Sequence, residues 1–166
     1  MSKLFYVIVF FLSFSGYSQE LFEYNFDDNI TLNVLEETEE GQMANGKFIR
    51  STFENEVITL SNSNKAKDIL PTMNETSLLK LFQGVKDGNL KSTKGTLLNE
   101  EIITFNNIKV SKFKISLLLE GQKKVFETYV FAYKNIIYTF QFMNNESEFE
   151  NLKNLRKSIL DSIKFH

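Results

Sequence analysis

Carboxylates are the only potential reagents this chain offers in number. Asp27-Asp28, the run Glu36, Glu37, Glu39 and Glu40, and Glu100-Glu101 are the clusters. Two such groups facing each other across a cleft could share general-acid and general-base work, as in glycoside hydrolysis. Several carboxylate oxygens on one tight loop could hold calcium. Neither chemistry is specified by spacing. No EF-hand pattern occurs, and no tryptophan is present to stack on a sugar. The glutamate run reads as a solvated loop.

Other reagents are absent. His166, the final residue, is the only histidine, and there is no cysteine. Thiolate zinc sites and Ser-His or Cys-His catalysis therefore lack a partner. No G-x-G-x-x-G, P-loop or H-E-x-x-H is found. His166 is expected at a frayed end. No catalytic residue, metal ligand or cofactor is assigned, and the chain is read as a non-enzyme. Asn29, Asn74 and Asn145 each begin an N-x-S/T triplet, which in an Asn-rich chain is expected by chance.

The stretch ETYVFAYKNIIYTFQF, residues 127–142, raises a binding question instead. Tyr129, Phe131 and Tyr133 share one face of an extended strand, as do Tyr138, Phe140 and Phe142. A two-residue turn at Lys134-Asn135 puts all six on the same face; a three-residue turn puts the triplets on opposite faces. Val130, Ala132 and Ile137 make the other side apolar too, so cover is expected on both sides. Burial of each ring is worth about 1.5–3 kcal/mol, and six exposed rings would form an aggregation-prone patch. The aromatics are therefore read chiefly as core. The residual reading is a hydrophobic groove rimmed by Tyr129, Tyr133 and Tyr138, whose hydroxyls need water or a partner.

The N-terminus bears on compartment. Lys3 is followed by an apolar run, Leu4 to Phe14, interrupted only by Ser13, and Gly16 and Ser18 precede Gln19 with signal-peptidase spacing. The run is too short to span a bilayer, which needs ~20 residues. Residues 1–18 are read as a signal peptide and 19–166 as one domain. Without Lys3 the chain carries 18 Lys+Arg against 21 Asp+Glu, so no basic excess draws it to nucleic acid. An exported chain with no disulfide must be held by its core.

Two short strands flank Asp27-Asp28-Asn29, and a polar loop, Glu36–Gly46, follows. Two further strands meet at Glu54-Asn55. Leu78, Leu81, Phe82 and Val85 then repeat at helical spacing, with Thr72/Glu75 as capping box and Gly88 as stop. A meander follows, turning at Asn106-Asn107, Gly121-Gln122 and Lys134-Asn135. Val110, Lys112, Lys114 and Ser116 face one way; Ser111, Phe113, Ile115 and Leu117 face the other. Ser147/Glu150 open a final amphipathic helix with the stripe Phe149, Leu152, Leu155, Ile159 and Ile163. The fold class is α+β: an antiparallel sheet of about six to seven strands between a mid-chain helix and a C-terminal helix.

That order of elements, ending in YVFAYKNIIYTFQF and SILDSIKF, resembles the PsbP-like and DcrB-like proteins, which share an α/β/α sandwich with the Ran-binding Mog-type proteins. The resemblance covers most of residues 20–165 and looks closest to the small secreted bacterial members. It implies an accessory or binding role and carries over no functional residue. The expectation is thus an exported, non-enzymatic binding or accessory protein of the bacterial envelope, periplasmic or extracellular, with an envelope protein as partner. It binds no nucleic acid and keeps no stable membrane insertion after cleavage. The alternative is a small-molecule or lipid carrier using a groove at the aromatic hairpin. A carboxylate hydrolase ranks last. Protein recovered from its native cells should have a denatured mass beginning at Gln19; an intact Met1 would contradict the leader.

Overall fold

A computed structural model describes residues 20–166; the signal-peptide reading lies outside the described residues. Among the described residues ten strands and two α-helices follow one another. The first five strands are β1 (Leu21–Asp27), β2 (Ile30–Leu35), β3 (Thr38–Met43), β4 (Gly46–Phe53) and β5 (Glu56–Ser63). Helix α1 (Glu75–Thr93) leads to β6 (Thr96–Phe105), β7 (Ile108–Leu119), β8 (Gln122–Tyr133) and β9 (Ile136–Asn145). Helix α2 (Lys153–Asp161) and β10 (Lys164–Phe165) end the chain.

Seven strands form one antiparallel sheet in the order β3-β4-β5-β9-β8-β7-β6. The aromatic hairpin sits near its centre because both its faces are apolar. On one side Val130 and Ala132 pack with Phe113, Ile115 and Phe82 beneath α1. On the other, Phe131, Tyr138, Phe140 and Phe142 pack against α2 and a second, three-stranded sheet, β1-β2-β10. The result is the expected α+β sandwich, with this small sheet as an additional part of one outer layer.

The turns set the register. Glu54-Asn55, Asn106-Asn107, Glu120-Gly121 and Lys134-Asn135 all have positive φ at both central residues. That is the type I′ signature, whose twist matches that of the flanking strands. Tyr133 thus pairs with Ile136 and Phe131 with Tyr138, so the two-residue alternative holds and all six aromatics share a face. The third turn is Glu120-Gly121, one residue earlier than expected, because Leu119 pairs with Gln122.

Several local expectations are corrected. Glu36–Gly46 is not all loop: residues Thr38–Met43 form the edge strand β3. An edge strand needs no apolar alternation, and the two glycines of this stretch, Gly41 in β3 and Gly46 at the start of β4, have packing roles. A Cβ at Gly41 would lie 2.3 Å from the ring of Phe48, its cross-strand partner. One at Gly46 would lie 2.1 Å from the Asn62 carbonyl oxygen. The α1 cap is Asn74, whose side chain accepts from the Ser77 amide at 2.9 Å, and Thr72 lies in a preceding 3-10 turn. The helix passes through Gly88 and stops at Lys94, in the left-handed region. Ser147 caps nothing; a 3-10 turn, Phe149–Leu152, leads into α2.

His166 is not frayed. Its amide donates to the Asn29 carbonyl, its Nε2 lies 2.8 Å from Thr31 Oγ1, and its carbonyl accepts from the Tyr133 hydroxyl at 2.6 Å. Phe165, one residue before, packs edge-on against Phe105, Phe131 and Tyr133. A two-residue strand is too short to show periodicity, so β10 has no mark in the sequence.

Because Asn135 sits at φ 64°, a β-branched residue there is strained. Asn135→Val should lower unfolding stability by about 1–2 kcal/mol, and Asn135→Gly should not. Chemical denaturation checks this; an unchanged valine variant would contradict the turn assignment.

Candidate functional site

The site grows out of three consecutive rungs of the sheet. On the face carrying the aromatics, Ile103, Val110 and Phe131 are paired across β6, β7 and β8. The next rung is Glu101, Lys112 and Tyr129; the one after is Asn99, Lys114 and Glu127. Every second residue of a strand faces the same way, so this face turns from apolar to charged within two steps. Helix α2 lies over it and changes in step, from Ile163 and Leu160 at its end to Arg156 and Lys153 near its start.

Helix and sheet do not close completely along this line. An apolar recess of about 210 Å³ is lined by Ile103, Phe105, Val110, Phe131, Leu160 and Ile163, with Lys112, Tyr129 and Asp161 at its rim. A charged recess of about 360 Å³ continues from it, sharing Lys112, Tyr129, Leu160 and Asp161, and reaching Lys114, Glu127, Glu150, Lys153, Arg156 and Lys157. The two make one cleft along α2.

A buried ionic cluster floors the charged end. Arg156 is 4 % exposed and Glu56, from β5, is 0 %. The Arg156 Nη1 lies 3.0 and 3.3 Å from the two Glu56 oxygens and also donates to the Phe149 carbonyl. Its Nε is 3.8 Å from Glu127, and its guanidinium carbon lies 3.9 Å from the Phe149 ring centre. Glu127 is 3.7 Å from both Lys112 and Lys114 and accepts from the Tyr129 hydroxyl at 3.1 Å. Lys112 also pairs with Glu101 at 3.0 Å, and Lys114 with Glu150 at 3.1 Å. Burial pushes the Glu56 carboxyl up, against the pull of Arg156. Burial and then the Glu127 charge push the Tyr129 hydroxyl up. Lys114 holds Glu150 below the usual carboxylate range.

The three tyrosines proposed as a rim separate. Tyr129 lines both parts of the cleft. Tyr133 lies beyond its apolar end, tied to His166. Tyr138 is fully buried, donating to Asp27 at 3.0 Å and accepting from Asn29 at 3.1 Å, so it rims nothing. The two asparagine triplets at Asn29 and Asn74 begin with side chains in structural use, in this bond and in the α1 cap. Asn145 accepts from Lys124 and donates to Glu148. Among the described residues no three His, Asp or Glu side chains gather as a metal would need. No helix there is long and apolar enough to cross a membrane.

Sequence reasoning missed Arg156, Glu56 and Glu127. A signal existed for each of them. Arg156 is four residues after Leu152 and three before Ile159, so it falls on the apolar stripe of α2. Glu127 is two residues before Tyr129, hence on the aromatic face. Glu56 carries the same sign, two residues before Ile58 and four before Leu60 on the buried face of β5.

Removing one partner of a buried pair leaves the other charge uncompensated. Arg156→Leu should cost about 3–5 kcal/mol, and adding Glu56→Leu should restore most of it. A double variant as unstable as the single would contradict the pairing. The folded state holds the Glu56 proton to higher pH than the unfolded chain does. That contribution is full below the unfolded value and is lost as pH rises through the folded one. Arg156→Leu should therefore steepen the loss of stability above about pH 4.3, as read by melting against pH.

No protein-family model and no curated protein sequence matches the chain. Solved structures do. The solution structure of cyanobacterial PsbP (CyanoP) from Synechocystis sp. aligns at TM-score 0.65 and 12 % identity, over 89 % of this chain and 94 % of that one. LpqN, described as involved in cell envelope biogenesis of Mycobacterium tuberculosis, aligns at 0.52 and 14 %, over 88 % and 90 %. PA94 of Pseudomonas aeruginosa, a protein of unknown function, aligns at 0.53 and 8 %, over 82 % and 91 %. With its seven-stranded antiparallel sheet, flanking helices and near-complete overlap with CyanoP, the chain has the PsbP-like fold.

Proposed function

We propose that this chain is an exported, non-catalytic accessory protein of the bacterial envelope that binds through the cleft along α2. The observation that carries this reading is the pair of adjoining recesses along α2, one apolar and one charged, which share Lys112, Tyr129, Leu160 and Asp161. Ligand sites are typically concave, mostly apolar and equipped with a few convergent polar groups. The carboxylates within the cleft support a binding role over hydrolysis: Glu127, Glu150 and Asp161 are each held in ion pairs with lysine. A hydrolase would need one carboxyl kept protonated beside the scissile bond. The LpqN likeness supports an envelope setting as an analogy of fold.

The occupant favoured by the recess is a small apolar or amphiphilic molecule, which is the carrier reading. A protein partner is the second reading. It is favoured by β6, the outermost strand beside the cleft, which among the described residues leaves one backbone edge free and exposes Leu98 and Ile102. A photo-crosslinking residue at Leu160, introduced in the native cells, separates them. It should yield an adduct that the same residue at the distant, exposed Ile69 does not, and the adduct's mass tells small molecule from protein. The absence of any Leu160-specific adduct would overturn binding at this cleft.

A further inference from the structure

We propose that the cleft takes a single-chain amphiphile with an acidic headgroup, its chain in the apolar recess and its acid beside Lys112, Lys114 and Lys153. This rests on the reading of the cleft as a binding site and adds the chemistry of the occupant. The first argument is the polarity gradient. The Val110, Lys112 and Lys114 rungs are spaced by two residues each, so along the strand the apolar floor at Val110 lies about 7 Å from Lys112 and about 13 Å from Lys114. An occupant must change from apolar to polar over that length.

Direction is the second argument. The apolar end is backed by β10, where the Phe165 ring meets the rings of Phe105 and Phe131, both cleft residues. The polar end of a ligand is therefore left to the lysine side. Charge is the third. The charged recess is lined by Lys112, Lys114, Lys153, Arg156 and Lys157 against Glu127, Glu150 and Asp161, within a chain of net charge −2. Counting Glu56 against Arg156 and Glu101 against Lys112 balances the recess at five cations and five carboxylates, with the charges unevenly paired. Among the described residues Lys153 has no ion-pair partner, although its recess neighbours do. A cationic headgroup would meet repulsion from Lys153, and an acidic one would supply the partner that Lys153 lacks.

A free amphiphile fits better than a membrane surface. The apolar residues line a recess between helix and sheet rather than a protruding patch, and Lys157 and Asp161 pair across one turn of α2 beside it. The lysines are also already oriented. Lys112 stands 5.7 Å over the Tyr129 ring centre, and Lys114 4.7 Å over that of Phe149. An acid arriving at this end meets ammonium groups whose side chains are fixed in advance, which lowers the ordering cost of binding.

The test is calorimetric titration of the chain from Gln19 onward with decanoate, decanol and decyltrimethylammonium, each below its micelle concentration, with amide chemical shifts to locate binding. Decanoate should bind once per chain, about tenfold or more tighter than decanol, because a charge-assisted bond is added. The shifts should centre on β7, β8 and α2. Leu160→Trp, which fills the recess, should abolish binding, with melting used to show that it folds. The exposed Lys153→Gln should weaken decanoate severalfold and leave decanol unchanged. Equal affinity for decanoate and decanol would overturn the acidic headgroup while leaving a ligand cleft. No binding by any of the three, with a Leu160 adduct in cells, would overturn the amphiphile alone. No binding and no adduct would overturn both this proposal and the reading beneath it.

Discussion

A guanidinium cannot sit against an aromatic core without anions beside it. Arg156 lies against the Phe149 ring, and its charge is answered by Glu56 of β5 and Glu127 of β8. The requirement is positional more than energetic, since buried ion pairs often return little net stability once desolvation is counted. Satisfying one arginine from two strands and the Phe149 carbonyl leaves α2 a single place along the sheet. The stripe of α2 by itself would tolerate sliding, because Leu, Ile and Phe contacts are not directional.

The cleft follows from that placement. Arg156 draws the start of α2 onto the sheet over Glu127, while Ser162, just past the helix end, accepts nothing from the sheet and instead receives the Asn33 amide at 2.8 Å from β2. The end of α2 is thus held toward the small sheet. Between these two attachments the helix passes over Val110, Lys112 and Phe131 without full contact. The lysines there cannot be buried as an aliphatic residue would be, because their ammonium groups must reach Glu101, Glu127 and Glu150. An aromatic face interrupted by two lysines is what keeps this part of the sheet open.

Much of this was legible in the sequence, and the exceptions share a cause. The meander, its paired turns and both helices follow from local rules, since type I′ turns and apolar stripes are written in neighbouring residues. The alternation of Val110, Lys112 and Lys114 against Phe113 and Ile115 was readable for the same reason. What could not be read depends on partners far along the chain. The strand β3 is polar because it lies at an edge, and Gly41 is small because Phe48 lies across from it. β10 exists only because β2 offers Thr31 and Ile30 to pair with. Tyr138 looked like a rim residue because its hydroxyl needs a partner; Asp27 and Asn29, more than a hundred residues earlier, supply it inside the core. The Glu56–Arg156 contact spans a hundred positions and has no local mark.

The central claim is that the cleft along α2 is a binding site in the native setting. The most direct measurement is a native mass spectrum of the protein purified gently from its native cells. The account predicts a noncovalent adduct of one small acidic molecule per chain, released on denaturation and missing from a folded Leu160→Trp variant. A bare mass for the wild-type protein, or an adduct that the Leu160→Trp variant retains, would contradict it.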